Sequence, residues 1–173
     1  MILPDHLAPG LRLVFCGTAA GAVSARVGAY YAGPGNRFWP TLHAVGLTPH
    51  RYAPTEGAAL LLSAGIGLTD LCKTRSGADS ALGRDPFDVP RLVAAVVAHR
   101  PAVVAFTSLT AGRAALGREA AHGRSPAAFA GTEAWVLPSP SGLATRWWDP
   151  APWQALADAV RRGDAARGGG AGR

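Results

Sequence analysis

A chain of 173 residues, 49% of them apolar, suits one folded domain with a buried core. Its longest apolar runs are strand-sized, which excludes a membrane-spanning helix from the pattern. The 17 Lys and Arg against 11 Asp and Glu give a net charge of +6, which suits a polyanionic partner such as nucleic acid; 16 of those cations are Arg in an Ala- and Gly-rich chain, so a biased genome explains the charge equally well.

In chain order, the apolar run 11–16 between Gly10 and Gly17 reads as a short buried strand. A short helix over 24–31 follows, with Arg26 outside, then a Pro34-Gly35 turn. Residues 37–45 read as a helix with Pro40 in its first turn, and 55–64 as another with Thr55 as cap and Gly65 as stop. A second strand covers 67–71, and the polar stretch 73–84 reads as a loop. Residues 89–99 form a helix with Pro90 near its start and Val93, Val96 and Val97 on one face. A strand over 102–107, a helix over 109–116, a strand over 133–137 and a helix over 150–162 capped by Asp149 complete the chain. The expectation is one domain over 1–166 with a disordered Gly/Arg-rich tail over 167–173. Strands alternating with helices predict an α/β fold: a three-layer α/β/α sandwich around a short, mainly parallel sheet. Ligands bind beyond the carboxyl ends of such strands, here 17–21, 69–71, 107–108 and 138–144.

Two of those ends carry unusual sequence. After Cys16 comes Gly17-Thr18-Ala19-Ala20-Gly21, small residues whose backbone N–H groups can meet carbonyl oxygens or anions, although neither a GxGxxG nor a Walker pattern is present. Pro138-Ser139-Pro140-Ser141-Gly142-Leu143-Ala144 is a stiff loop with two hydroxyls suited to phosphates and an exposed aliphatic tip. An exposed Leu143 is wasteful in most proteins and useful as a wedge in one that bends DNA.

Together with Leu7-Ala8-Pro9-Gly10 before the first strand, Pro34-Gly35-Asn36-Arg37-Phe38-Trp39, Gly46-Leu47-Thr48 and Gly65-Ile66-Gly67-Leu68-Thr69, these segments resemble the mismatch-specific uracil-DNA glycosylase and thymine-DNA glycosylase family over nearly the whole chain. The resemblance implies base excision: a damaged base, chiefly uracil opposite guanine, is flipped out and its N-glycosidic bond is hydrolysed without lyase chemistry. It also implies roles. Gly17, Ala19, Ala20, Gly21 and Ser24 would hold the base edge, with Tyr31 stacking on the ring and Asn36 at the pocket. Leu143 would fill the gap in the stack, flanked by Gly142 and Ala144, with Ser139 and Ser141 on the phosphates. Arg146 falls one residue from the family's wedge arginine, so its role stays open; Lys73, Arg75 and Arg84 suit phosphates, and a solvated loop explains them equally well.

The sequence departs from the family's G-x-N-P-G pattern, in which the Asn positions the attacking water: Ala19 stands there instead. A methyl group cannot orient water, so either the chain is a weak catalyst, a lesion-binding protein that flips bases without efficient cleavage, or another group has the task. Asp70, at the end of the second strand, is the chosen carboxylate, because a carboxylate near the sugar stabilises an oxocarbenium-like state and activates water. Its alternative is capping the next loop or pairing with Lys73 or Arg75. Thr18 is a second candidate for holding the water, while Asp79, Asp85 and Asp88 read as caps.

No cofactor or metal is expected. Two separated cysteines, Cys16 and Cys72, make neither a disulfide framework nor an iron–sulfur set, and His6, His43, His50, His99 and His122 lack metal spacing. Phe38 and Trp39 read as core; Trp147 and Trp148 either shield a DNA face or pack the last helix. The expected partner is double-stranded DNA with G·U or related mismatches, with single-stranded DNA and other bases such as hypoxanthine or thymine left open. A monomer in the cytoplasm is expected, with no secretory signal at residues 1–10 and no membrane partner.

Overall fold

β1 (Leu13–Ala20) is buried along most of its length, and its side chains alternate between two apolar clusters. Leu13 and Phe15 join the cluster containing Phe38, Leu61 and Trp153; Cys16 joins the one containing Leu92, Val96 and Ala111. That two-sided burial makes a central strand of a sheet covered on both faces. A computed structural model describes residues 1–168. It is an α/β fold with a five-stranded sheet in the order β2-β1-β3-β5-β4, where β2 is Ile66–Ser76, β3 Val103–Phe106, β4 Gly123–Arg124 and β5 Glu133–Val136. Every pairing is parallel except β4 against β5.

The helices α1 (Ala22–Val27), α2 (Phe38–Ala44), α3 (Pro54–Ser63), α4 (Val89–His99), α5 (Leu109–Leu116) and α6 (Ala151–Gly168) flank the sheet. α2, α3 and α6 pack on the Phe15 face, α4 and α5 on the Cys16 face. Two caps follow from sequence: Asp88 accepts from Arg91 N–H at the start of α4, and Ser108 from Ala111 N–H at the start of α5. No helix is long and apolar enough to cross a membrane among the described residues.

Several expectations need correction. The cap of α3 is Ala53, with Pro54 in the first turn, so Thr55 lies inside the helix. α4 buries Leu92 and Val96, leaving Val93 and Val97 on the outside. α6 runs six residues past the expected stop at 162, so Arg167 and Gly168 are helical; the rest of the expected tail lies outside the described residues. Aspartates one turn before arginines help, as Arg161 pairs with Asp158 and Arg167 with Asp164 along that extension. The largest correction concerns β1 and β2. Residues 17–20 do not loop; they continue β1, with Gly17 opposite Asp70 and Ala19 opposite Cys72. β2 likewise continues to Ser76, and a register shift after Ala19 bends the pair.

Candidate active site

The carboxyl ends of β1, β2, β3 and β5 open into one cleft of about 1190 Å³, lined by 17–24, Tyr31, Asn36, Asp70, Thr107 and the 138–145 loop. At its floor, three side chains from three elements converge above Gly17. A Cβ on Gly17 would lie 2.6 Å from Asp70 Oδ1, 3.4 Å from the Tyr31 hydroxyl and 3.5 Å from Thr107 Oγ1. Real Cβ atoms do not approach that closely, so Gly17 is what lets the carboxylate lie over the backbone of β1.

Asp70 is 3% exposed. Neither cation considered as its partner reaches it. Lys73 Nζ pairs with Asp5 at 2.8 Å and donates to the Tyr30 hydroxyl at 2.9 Å. Arg75 Nη1 donates to the carbonyls of Leu82 and Arg84. Arg91 Nη1 pairs with Asp5 at 2.7 Å, while its Nη2 donates to the backbone carbonyl of Asp70 at 2.5 Å, not to the carboxylate. Burial therefore dominates and pushes the Asp70 carboxyl up to about 7; the nearby charges of Lys73 and Arg91 pull it back only partly, and Asp5 opposes them. Asp5 is the reverse case. Burial alone would raise it, but hydrogen bonds from Lys73 and Thr69 and the charges of Lys73 and Arg91 hold it below the usual carboxylate range.

Tyr31 sits in the left-handed region at φ 53, uncommon for a bulky residue. The conformation is held from three sides. Its ring stacks on Phe38 with centroids 3.8 Å apart, its hydroxyl lies 3.1 Å from Thr107 Oγ1, and the next amide, Ala32 N–H, donates to Ser24 Oγ at 3.0 Å. Phe38 in turn meets Phe15 edge-on, so the sheet core supports the cleft wall. Burial and the charge of Asp70 both push the Tyr31 phenol well up, which keeps it neutral.

The rim joins segments distant in sequence. Arg37 N–H donates to the Pro140 carbonyl at 2.8 Å, its guanidinium donates to Thr145 Oγ1 at 3.3 Å, and the same group lies 5.4 Å from the Trp148 ring centroid. Gly142 fits against the Pro34 and Gly35 carbonyls. Within the loop, Ser139 Oγ accepts from Ser141 N–H and Ser141 Oγ from Leu143 N–H, which leaves both O–H groups as donors. Leu143 projects from this frame, 87% exposed.

Other anticipated residues have different surroundings. Thr18 Oγ1 donates to Asp79 Oδ1 at 2.6 Å, so it ties β1 to the segment after β2 and is not free to hold water. Lys73 is buried in β2 and cannot meet phosphate; its stretch is strand rather than loop through Ser76, with the Lys73 charge met by Asp5. Ser24 is buried and occupied by Ala32, and Asn36, which lines the cleft, accepts from Phe38 N–H through Oδ1 at the start of α2. Arg75 is exposed but engaged with the following turn. Gly21 and Ala20 line the cleft at the bend, and Ala144 lines its rim. Arg146 is exposed beside Trp147. Thr107, at one of the strand ends expected to meet ligand but given no role from sequence, also lines the cleft, as does His122.

Residues 4–160 match the Uracil DNA glycosylase superfamily. The chain belongs to that superfamily. It is similar to the solution structure of a Methanosarcina acetivorans protein described as "a putative Uracil DNA glycosylase": the two are 26% identical with a TM-score of 0.65, over 92% of this chain and 96% of that one. Glycosylases of this superfamily are hydrolytic enzymes that cut N-glycosidic bonds in DNA repair.

Proposed function

We propose that this glycosylase removes uracil from DNA, foremost uracil mispaired with guanine, with Asp70 as its catalytic carboxylate. The observation that carries the reading is a buried carboxylate with no cation or hydrogen-bond partner on its oxygens among the described residues, facing a cleft at the strand ends. Nature seldom leaves such a group unpaired without a use. The flipped base would enter beside Tyr31, whose ring is stiffened by Phe38, while Leu143 takes the vacated place in the duplex and the Ser139 and Ser141 hydroxyls donate to phosphate.

The chemistry balances simply. As the C1′–N bond lengthens, its electron pair leaves with the base and positive charge grows on the sugar. The Asp70 carboxylate faces that charge and accepts a proton from the water that forms the new C1′–O bond. The hydrolysis is complete when solvent protonates the departing base. Ala19, opposite Cys72, supplies no polar side chain, so the carboxylate has both tasks. The same methyl group favours the second reading, a protein that binds flipped bases but cleaves slowly.

Single-turnover uracil release from a G·U duplex separates these. The expected result is release by the native protein and a loss of roughly 10²–10⁴-fold in Asp70→Asn, the range for removal of a general base, with DNA affinity retained. Comparable rates in both proteins exclude Asp70 as the catalytic group. No release by the native protein leaves the binding reading.

A further inference from the structure

Of the five tryptophans, Trp39, Trp135 and Trp153 are buried, and Trp148 packs between Trp153 and the Arg37 guanidinium. Trp147 is 72% exposed. An indole left in water forgoes a large apolar burial, so its position calls for a partner. It is not exposed for want of anchoring. Its 3-10 turn, Gly142–Trp147, is tied by Thr145 Oγ1 donating to the Gly142 carbonyl at 2.9 Å and by Trp148 N–H donating to the Thr145 carbonyl at 3.3 Å. Trp148, the next residue, is fixed against α6 through Trp153. The Trp147 ring lines the same cleft as Asp70, and the Arg146 guanidinium lies 5.5 Å from its centroid.

We propose that Trp147, with Arg146 beside it, is a stacking platform for an unpaired nucleobase, and that it equips the enzyme to hold single-stranded DNA. The inference rests on the cleft being a DNA site and adds a second subsite to it. Aromatic rings grip single strands because every base offers a π face, and a neighbouring guanidinium adds attraction to both ring and phosphate. Bases within a duplex are already stacked on each other, so they offer Trp147 little. Leu143 has the opposite preference: a wedge gains only where a stack exists to be filled. The two exposed apolar residues of one turn thus divide the substrates between them.

The test uses the full chain carrying Asp70→Asn, which keeps the DNA intact, alone and combined with Trp147→Ala, Trp147→Phe or Leu143→Ala. Affinity for a uracil-containing single strand and for a G·U duplex is read by anisotropy, and Trp fluorescence is followed in the same titrations. The expected outcome is a fluorescence quench on single-strand binding that Trp147→Ala abolishes, with about ten-fold weaker single-strand binding and little change on the duplex. Trp147→Phe retains most of the affinity, and Leu143→Ala shows the reverse substrate pattern. Equal losses on both substrates, or none, overturn the platform while leaving the DNA site standing. Failure of the parent protein to bind either DNA overturns the site itself.

Discussion

Asp70 is held against its own solvation, and replacing it with Asn should make the protein more stable while making it inactive. Its carboxyl lies at about 7 in the folded chain against an ordinary 3.8. At about 1.36 kcal/mol per unit, that gap sets a ceiling of about 4 kcal/mol. The sign follows from proton binding. Below pH 4 both folded and unfolded chains carry the proton, and ionisation costs nothing. Between pH 4 and 7 the unfolded carboxyl gives up its proton freely while the folded one resists, so the native protein loses stability as pH rises. Above 7 both forms are ionised and the deficit is constant. Asn has no such titration, so its advantage grows from pH 4 to 7 and then levels off. Water entering from the cleft solvates part of the charge, and we expect a gain of about 2 kcal/mol at pH 8. Urea unfolding of both proteins at pH 4 and pH 8, with the slopes compared, measures it. A difference between the proteins that does not change with pH refutes the claim that burial sets the ionisation of Asp70.

Two other outcomes follow from the same geometry. Gly17→Ala places a methyl group 2.6 Å from Asp70 Oδ1 and should displace the carboxylate; uracil release is expected to fall on the order of 100-fold, the effect of a misplacement near 1 Å, and a crystal structure of the variant with Asp70 unmoved would contradict the cause. Asp5→Asn removes the negative charge that offsets Lys73 and Arg91, so Asp70 should ionise more easily. Excision by the native enzyme is expected to rise with pH through about 7, as the carboxylate forms, and in Asp5→Asn that rise should move to lower pH; a rise that stays in place or moves upward counts against Asp5 as the neutralising partner.

The layers of the fold were legible because apolar runs and punctuation agree locally. Pro90 marked the start of α4, and the strand-end rule led to Asp70 before any contact was known. The misreadings share one cause: a residue's chemistry was assigned without its long-range partner. Lys73 looks like a surface cation until Asp5, from the first residues, and Tyr30, from the segment after α1, meet it. Thr18 looks like a free hydroxyl until Asp79 takes it, and 17–20 looks like a loop until β2 pairs with it. The convergence of Tyr31, Thr107 and Asp70 above Gly17 lay beyond sequence because it depends on a left-handed tyrosine that local propensity disfavours.

The opening residues also bear on how the molecule is assembled. β2 is an edge strand, and the first residues cover that edge: Ile2 N–H donates to the Lys73 carbonyl, while His6 and Leu68 exchange both backbone hydrogen bonds. An uncovered edge would invite pairing with a second chain. Yet the Asp5 carboxylate must wait for Thr69, 64 residues later, and for Arg91, 86 residues later, before its partners exist. Docking this segment therefore closes long loops, which costs entropy before any contact repays it. Without that segment the strand that carries Asp70 would be an open edge, so the residues that complete the surroundings of the carboxylate also guard the sheet against pairing with another chain.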